Sequence, residues 1–203
     1  KQLIYAVTGN EVPDGGLPID IGAIVINIDT AVAIQRAVHR GRPLMRRIIT
    51  VAGNAVKEPC NLQVKLGMTY REVIEAAGGF VKEPKKVISG GPMMGIALFD
   101  LDIPVIKGTS AILCLSEEDI NEVPESACIR CGKCVEGCPM NLVPVQLDTF
   151  SRFKDEEKFE RFHGASCIEC GVCSYICPAK RQLTQTIRTA KRRVLAKRML
   201  KKS

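Results

Sequence analysis

The feature that most constrains this chain of 203 residues is a cysteine motif that occurs twice. CIRCGKCVEGCP covers residues 128–139 and CIECGVCSYICP covers residues 167–178, and both follow the pattern C-x2-C-x2-C-x3-C-P. The two stretches hold eight of the ten cysteines of the chain. A disulfide framework would have to join thiols only two residues apart, so metal binding in a reducing compartment is the better interpretation.

Two kinds of metal site use cysteines at such short spacing. Zinc sites usually combine two CxxC pairs across a longer loop, whereas three thiolates from one tight loop suit an iron–sulfur cubane. In two-cluster ferredoxins the fourth cysteine of each run binds the other cluster, and the proline turns the chain away. Zinc or disulfides stay open as alternatives. We predict two [4Fe–4S] clusters with crossed ligands: cluster 1 held by Cys128, Cys131, Cys134 and Cys177, and cluster 2 held by Cys138, Cys167, Cys170 and Cys173.

The net charge of +7 is concentrated near the end of the chain. Residues 180–203 contain ten Lys and Arg and no acid, whereas residues 1–179 carry 19 Lys and Arg against all 22 acidic residues. Residues 183–203 are predicted to form a basic amphipathic helix or tail. This helix could pack on the cysteine region with a solvated basic face, contact a membrane surface or an acidic partner, or bind nucleic acid.

Residues 1–43 have the pattern of the end of an α/β domain. A turn is predicted at DGG (14–16), a strand from Gly22 to Ile28, and a helix that begins at an N-cap of Asp29 or Thr30 and ends at Gly41. The longest apolar stretch, IGAIVINI at 21–28, is too short to cross a bilayer, so we expect a soluble or peripheral protein. The first residue is not Met, and the chain is expected to be a piece of a longer protein.

Residues 44–116 contain short β-rich runs around one predicted helix, which indicates a β-grasp-like domain. Thr69 and Glu72 form a capping box for that helix, and Gly78 ends it. The predicted strands lie in RRIITVAG, NLQVKLG, KKVISGG, IPVIKG and SAILCLS. The loop SGGPMMG (89–95) is interpreted as a tight turn with Met93 and Met94 in the core; close approach to a phosphate or cofactor stays open.

Residues 117–126 are predicted to be a linker, and residues 127–182 a double-cluster domain. Between the motifs, apolar residues at helical spacing favour an α-helical ferredoxin over the compact βαβ kind: Leu147, Phe150, Phe153, Phe159 and Phe162. The fold class is therefore α+β. Arg130 and Lys133 in the first motif correspond to Glu169 and Val172 in the second, which predicts the higher reduction potential for cluster 1. Cys60 and Cys114, outside the motifs, are interpreted as structural.

Four segments in this order give the chain a resemblance to a known family. LPIDIGAIVINIDTA, ITVAGNAVKEPCNLQVKLGM, SGGPMMG and the two cysteine motifs together resemble the C-terminal portion of the C subunit of the Rnf ion-translocating electron-transport complex. The resemblance implies the end of a flavoprotein-like α/β domain, an SLBB-type β-grasp domain and a two-cluster domain. IVINIDT is similar to a segment that lies along the flavin in complex I relatives, which implies flavin contact by Asn27. FMN and NAD(H) are expected only in the longer protein, because their glycine-rich loops are absent here.

The family resemblance also implies a function. The chain would relay electrons between NAD(H) or flavin and ferredoxin-side centres, as part of a ferredoxin:NAD+ oxidoreductase coupled to Na+ or H+ translocation. Its expected partners are other Rnf-type subunits, including membrane-embedded ones, with ferredoxin indirectly and no nucleic acid. Its expected location is peripheral, on the cytoplasmic side of the cell membrane. The alternatives are a cobalamin (corrin) reductase of the propanediol-utilisation type and, more distantly, a zinc-dependent nucleic-acid-binding module.

Overall fold

In the computed structural model, which describes residues 1–13, 16–120 and 123–200, contacts divide the chain into two units. Lys1–Val25 and Val123–Ser203 form one, called here the helical unit, and Ile26–Glu122 forms the other, the sheet unit. The helices are α1 (Gln2–Thr8), α2 (Ile28–Arg40), α3 (Tyr70–Ala76), α4 (Lys133–Glu136), α5 (Pro144–Arg152), α6 (Glu156–Arg161), α7 (Val172–Tyr175) and α8 (Leu183–Leu200). Short 3-10 turns cover Pro18–Ile21, Glu117–Asp119 and Gly164–Ser166.

The sheet unit is built on a five-stranded sheet with the order β2-β1-β5-β3-β4. Strand β1 pairs antiparallel with β2 and parallel with β5, and β3 pairs antiparallel with both β5 and β4. A hairpin, a helix and a strand parallel to the first is the β-grasp arrangement that the sequence predicts. The strands are β1 (Arg46–Ala52), β2 (Cys60–Lys65), β3 (Lys86–Ser89), β4 (Ile96–Ala97) and β5 (Ala111–Leu115).

Helix α3 covers one face of this sheet. Its residues Tyr70, Val73 and Ile74 are buried against strand residues that include Ile49 and Ile112. The predicted capping box is present: the Thr69 hydroxyl accepts from the Glu72 amide at 3.2 Å, and the Glu72 carboxylate accepts from the Thr69 amide at 2.7 Å. Four backbone and side-chain groups are thereby satisfied at the start of α3.

Two predicted strands are wrong. Residues 23–27 are irregular and Ile28 already begins α2, so the N-cap is Asn27, whose Oδ1 accepts from the Asp29 amide at 2.9 Å. Gly41 ends this helix as predicted, with φ of 60°. The run IPVIKG makes only an isolated bridge between Pro104 and Thr69, because a proline has no N–H for a ladder. The edge strand is instead β4.

The SGGPMMG loop is a turn that joins β3 to β4. Met93 and Met94 are 60% and 54% exposed, so the prediction that they fill the core is wrong. A Cβ on Gly95 would lie 2.4 Å from Cγ2 of Ile88 and 2.5 Å from the carbonyl oxygen of Gly91. The turn therefore needs this glycine for its own close packing. Of the predicted DGG turn, Asp14 and Gly15 lie outside the described residues.

The described part of the helical unit contains helices and turns but no strand, as the spacing of its apolar residues predicts. Leu147 of α5 and Phe159 of α6 are fully buried, together with Ile187, Ala190 and Val194 on one face of α8. Phe150 and Phe162 meet with ring centroids 5.1 Å apart. Phe153 is 81% exposed, so its predicted packing is wrong.

Helix α8 is the predicted basic helix. Its apolar face packs within the helical unit, and several cations on its other side meet acids of the same unit: Arg188 with Glu169 at 2.6 Å, and Arg198 with Glu160 at 2.9 Å. These ion pairs indicate that α8 uses its basic residues within the helical unit. They favour this interpretation over an arm dedicated to binding a partner. None of the described helices is long and apolar enough to cross a bilayer.

Candidate iron–sulfur centre

The two cysteine motifs fold into the same backbone conformation. Residues at equivalent positions share a positive φ: 56° and 58° at Arg130 and Glu169, and 78° and 85° at Gly132 and Gly171. The equivalence extends beyond the repeated letters, because Asn141 and Lys180 have φ of 52° and 53°, and their amides donate to the carbonyls of the fourth cysteines at 3.1 Å. The repeat is therefore a repeat of loop geometry as well as of sequence.

Each motif loop points hydrogen-bond donors at its sulfurs. The amide of Arg130 donates to Sγ of Cys128 at 3.4 Å, and the amide of Glu169 donates to Sγ of Cys167 at 3.4 Å. After each glycine a short helix, α4 or α7, begins and carries the third cysteine. Backbone donors on sulfur stabilise thiolates, so the loops suit metal-bound cysteines.

One cavity of about 130 Å³ is lined by four cysteines, three from the first motif and one from the second. We call it the first cysteine cavity. The rest of its wall is mostly apolar, with Val145 and Leu183 among its members, and it contains two cations, Arg130 and Arg181. Lys133 is not part of this wall. The cysteines are Cys128, Cys131, Cys134 and Cys177.

A second cavity, the second cysteine cavity, is lined by the other four cysteines of the motifs. Its wall is also apolar, with Leu147 and Ile187, and Glu169 and Thr184 are among its other residues. Thr184 has a hydroxyl close to one of the thiols. That hydroxyl lies 3.4 Å from Sγ of Cys173. The cysteines are Cys138, Cys167, Cys170 and Cys173, so three come from the second motif and one from the first.

The spacing of the thiols bears on the choice between a zinc site and a four-iron cluster. A zinc ion needs its thiolates about 2.3 Å from one point. Four thiols spaced around a cavity suit the larger spread of a four-iron cluster. The first cysteine cavity has the space; the second, at about 20 Å³, has room for about one water molecule and must widen to accept a cluster.

Burial affects the chemistry of these thiols. Desolvation raises the pKa of Cys134, Cys167 and Cys173, which disfavours their thiolates. A bound cation reverses that preference, since metal ligation requires the deprotonated sulfur. Cys114 is fully buried in the sheet unit, where burial raises its pKa to about 11, and Cys60 is half-buried; neither lines a cysteine cavity.

A buried carboxylate that contacts the cavity residue Arg181 is a feature that no local sequence pattern indicates. Asp148 of α5 is fully buried and accepts hydrogen bonds from Arg181 at 2.6 Å, from Arg152 at 3.0 Å and from the Thr186 hydroxyl. Burial alone would raise the pKa of Asp148, but these three donors outweigh it and hold the pKa below its usual value. The network links α5, α8 and the segment that follows Cys177.

The second cysteine cavity has a different electrostatic setting. Glu169 pairs with Arg188 at 2.6 Å and with Lys191 at 3.4 Å. Burial opposes the ionised form of Glu169, yet hydrogen bonds and charge from these two cations lower its pKa, so the carboxylate is ionised at neutral pH. Asn27 lies in the sheet unit, where its side chain caps α2.

The fold and the two cysteine cavities define a class: a β-grasp domain joined in one chain to a helical domain of the two-cluster ferredoxin kind. Residues 48–97 match the SLBB domain family, and residues 127–181 match the 4Fe-4S dicluster domain family. Both predicted domain types are confirmed by these matches.

The more particular relationship comes from whole-chain comparison. The chain is 52% identical over 193 residues to the C subunit of the proton-translocating ferredoxin:NAD(+) oxidoreductase complex of Clostridium ljungdahlii, with 94% of this chain and 42% of the relative covered. It is 50% identical over 198 residues to the C subunit of the Na(+)-translocating ferredoxin:NAD(+) oxidoreductase complex of Acetobacterium woodii, with 98% and 45% covered. The match to the C subunit of the ion-translocating oxidoreductase complex of Rhodobacter capsulatus is 43% over 148 residues, with 73% and 28% covered.

These comparisons confirm the resemblance that the sequence motifs indicate. Over nearly its whole length the chain is related to the C subunits of Rnf-type complexes. It spans less than half the length of these relatives.

Proposed function

We propose that this chain is the electron-relaying portion of the C subunit of an Rnf-type, ion-translocating ferredoxin:NAD+ oxidoreductase. In this proposal it holds two [4Fe–4S] clusters with crossed ligands. Cluster 1 is bound by Cys128, Cys131, Cys134 and Cys177, and cluster 2 by Cys138, Cys167, Cys170 and Cys173. The observation that carries the proposal is the grouping of the eight thiols: each cysteine cavity collects three sulfurs from one motif and the fourth from the other.

Neighbouring residues of the chain support close spacing of the two sites. Val145 lines the first cysteine cavity while Pro144 lines the second, and Leu183 lines the first while Thr184 lines the second. Consecutive Cα atoms are about 3.8 Å apart, so these two pairs place the cavities side by side. Each cluster, when bound, accepts or gives one electron at a time. The protein excludes water with apolar walls and fixes the thiolates.

The rest of the assembly is part of the same proposal. Other Rnf-type subunits, including membrane-embedded ones, are the partners, with ferredoxin indirectly; FMN and NAD(H) bind in the longer protein, with Asn27 as a flavin contact. The chain is peripheral on the cytoplasmic side, and the complex moves Na+ or H+. Support comes from the relatives, which are named for both a proton- and a Na(+)-translocating complex. The domain boundaries at residues 43, 116, 126 and 182 belong to the proposal.

The alternatives receive less support. Relatives named for ferredoxin:NAD(+) oxidoreductases favour that role over a cobalamin reductase. The grouping of four thiols around each cavity, three from one motif and one from the other, favours four-iron clusters over zinc. The ion pairs of α8 with Glu160 and Glu169 disfavour a nucleic-acid-binding arm.

Cysteine-to-serine variants of the anaerobically purified protein test the crossed ligation. Cys128→Ser identifies the EPR signal of cluster 1 and Cys167→Ser that of cluster 2, because these assignments do not depend on the crossing. We expect Cys177→Ser to alter the same signal as Cys128→Ser, and Cys138→Ser the same signal as Cys167→Ser. Cys60→Ser, outside both cavities, is the control. Iron analysis should give about eight irons per chain from two four-iron clusters; two zincs without iron would refute the proposal, and the reverse pairing of signals would refute the crossing.

A further inference from the structure

Arg181 has an unusual position at the first cysteine cavity. It follows the second motif closely in sequence and lines the cavity together with Cys177. Its side chain is 18% exposed, and its Nε is buried without a hydrogen-bond partner in the part of the chain that the structure describes. A buried N–H donor without an acceptor is costly. Arg181 therefore brings to the wall of the first cysteine cavity a guanidinium whose hydrogen-bonding capacity is only partly used.

The other end of the same guanidinium is fixed. Nη2 of Arg181 donates to Oδ2 of Asp148 at 2.6 Å. Asp148 in turn is fully buried, is held by Arg152 and Thr186, and lines neither cysteine cavity. Arg181 therefore forms part of the cavity wall, and Asp148, which binds it, is not part of that wall. A guanidinium has five N–H donors in a rigid fork and stays protonated in proteins, so one side can bind Asp148 while another stays available.

The second cysteine cavity lacks this arrangement. Its described wall contains the ionised Glu169 and no arginine. The reduction potential of an iron–sulfur cluster depends on nearby charge and on hydrogen bonds to its sulfurs. Fixed positive charge and an N–H donor favour the reduced, more negative form, whereas a carboxylate disfavours it.

We propose that Arg181 raises the reduction potential of cluster 1 and that Asp148 is the positioning residue for Arg181. The pair makes cluster 1 the favoured site for an electron shared between the two clusters. This inference rests on the proposed function, because it requires clusters in the two cysteine cavities. It extends that function by assigning the higher potential of cluster 1 to Arg181, a residue outside the motifs.

EPR-monitored redox titration of the full, iron-loaded chain tests this inference. Arg181→Gln removes the charge and keeps a side chain of similar shape. We expect cluster 1 to become harder to reduce, with the ratio of reduced to oxidised cluster falling roughly tenfold at a fixed potential, a shift of about 59 mV for one electron. Cluster 2 should shift by a smaller factor. Arg181→Lys keeps the charge without the fork and should fall between Arg181→Gln and the parent protein.

Arg193→Gln is the matched control. Arg193 also has a buried Nε without a partner among residues of the described chain, and its Nη2 donates to the carbonyl oxygen of Ser151 at 3.2 Å, but it lines neither cysteine cavity. It should leave the potential of cluster 1 unchanged. An unchanged ratio in Arg181→Gln, an equal shift of both clusters, or the same shift in Arg193→Gln would overturn the inference. Arg181→Lys provides the comparison if Arg181→Gln fails to load iron.

The role of Asp148 is tested by combining variants. If Asp148 acts by holding Arg181, the tenfold effect of Arg181→Gln should largely disappear in an Asp148→Asn background. If Asp148→Asn does not fold, Asp148→Glu, which keeps the charge but displaces it, is used as the background instead. An undiminished effect would show that Asp148 is not a positioning residue. Iron content separates the two proposals: about eight irons per chain with unshifted potentials refutes only the tuning by Arg181, while a chain without iron refutes the cluster function itself.

Discussion

Gly137 and Ile176 occupy the same position in the two cysteine motifs, and they meet where the motif helices pack. A Cβ built on Gly137 would lie 2.6 Å from Cδ1 of Ile176 and 3.2 Å from Cγ1 of Val172. Gly137 of the first motif leaves a space, and the side chain of Ile176 of the second motif fills it. The two motifs are thus equivalent in backbone but complementary in side-chain volume.

Gly137→Ala should therefore destabilise the helical unit. Overpacking of this kind costs about 1–3 kcal/mol, and part of the cost should be recovered in Gly137→Ala/Ile176→Val, because valine lacks the Cδ1 atom. Denaturant unfolding of the iron-loaded protein, followed by circular dichroism, measures both changes. Ile176→Val alone is the control, with an expected loss of about 0.5–1.5 kcal/mol. A Gly137→Ala protein as stable as its parent would contradict this account of the contact.

The capping box of α3 gives a prediction for the sheet unit. Thr69→Ala removes the hydroxyl that accepts from the Glu72 amide and should lower the free energy of unfolding by about 1 kcal/mol. Glu75→Ala, at an exposed position of the same helix, should change it by about 0.5 kcal/mol or less. Chemical denaturation of the two variants in parallel measures the difference. Equal stability of both would mean that the cap contributes nothing in this fold.

The features that could be predicted from sequence are formed by contacts between residues that lie close together in the chain. Three cysteines and a glycine within seven residues define the motif loop, and Thr69 with Glu72 defines a cap, because these contacts are made within one turn of chain. The two-cluster pattern also groups Cys177 with Cys128, and both line the first cysteine cavity; their binding of one cluster stays a prediction.

The parts that could not be predicted depend on distant partners. The apolar run from Gly22 to Ile28 looks like a strand, but a strand needs a neighbour to complete its hydrogen bonds, and Ile24 and Ile28 are exposed instead. Asp148 lies 33 residues from Arg181 along the chain, so no local pattern connects them. The arginines Arg36, Arg40, Arg42, Arg46 and Arg47 line one groove of about 850 Å³ in the sheet unit, although they come from α2, from β1 and from the segment between them.

Acid should weaken the helical unit through Asp148. Its folded-state pKa lies below the unfolded value of about 3.9. The stability that its ionised form contributes is therefore complete above that unfolded pKa and is lost as the pH falls through the folded pKa. Asp148→Asn should be less stable than the parent by about 3 kcal/mol near pH 7, because it leaves Arg181 without its carboxylate partner, while Arg152 keeps Glu125, and should show a smaller further loss in acid. Urea unfolding at a series of pH values from 7 down to about 2 measures how steeply the free energy of unfolding of each protein falls with pH. Equal slopes for the parent and Asp148→Asn would exclude Asp148 as the main acid-sensitive group.

Glu169 should act on cluster 2 with the opposite sign to Arg181 on cluster 1. Glu169 lines the second cysteine cavity, and its ionised, half-buried carboxylate disfavours the extra electron. Glu169→Gln removes this charge and frees Arg188 and Lys191, and both changes favour reduction. We expect the ratio of reduced to oxidised cluster 2 to rise roughly tenfold at a fixed potential, about 59 mV for one electron. Redox titration followed by EPR measures it, with Glu160→Gln as the control, because Glu160 also pairs with an arginine but lines neither cavity. A fall in the potential of cluster 2, or a larger shift in cluster 1, would show that the charge of Glu169 does not control the site it lines.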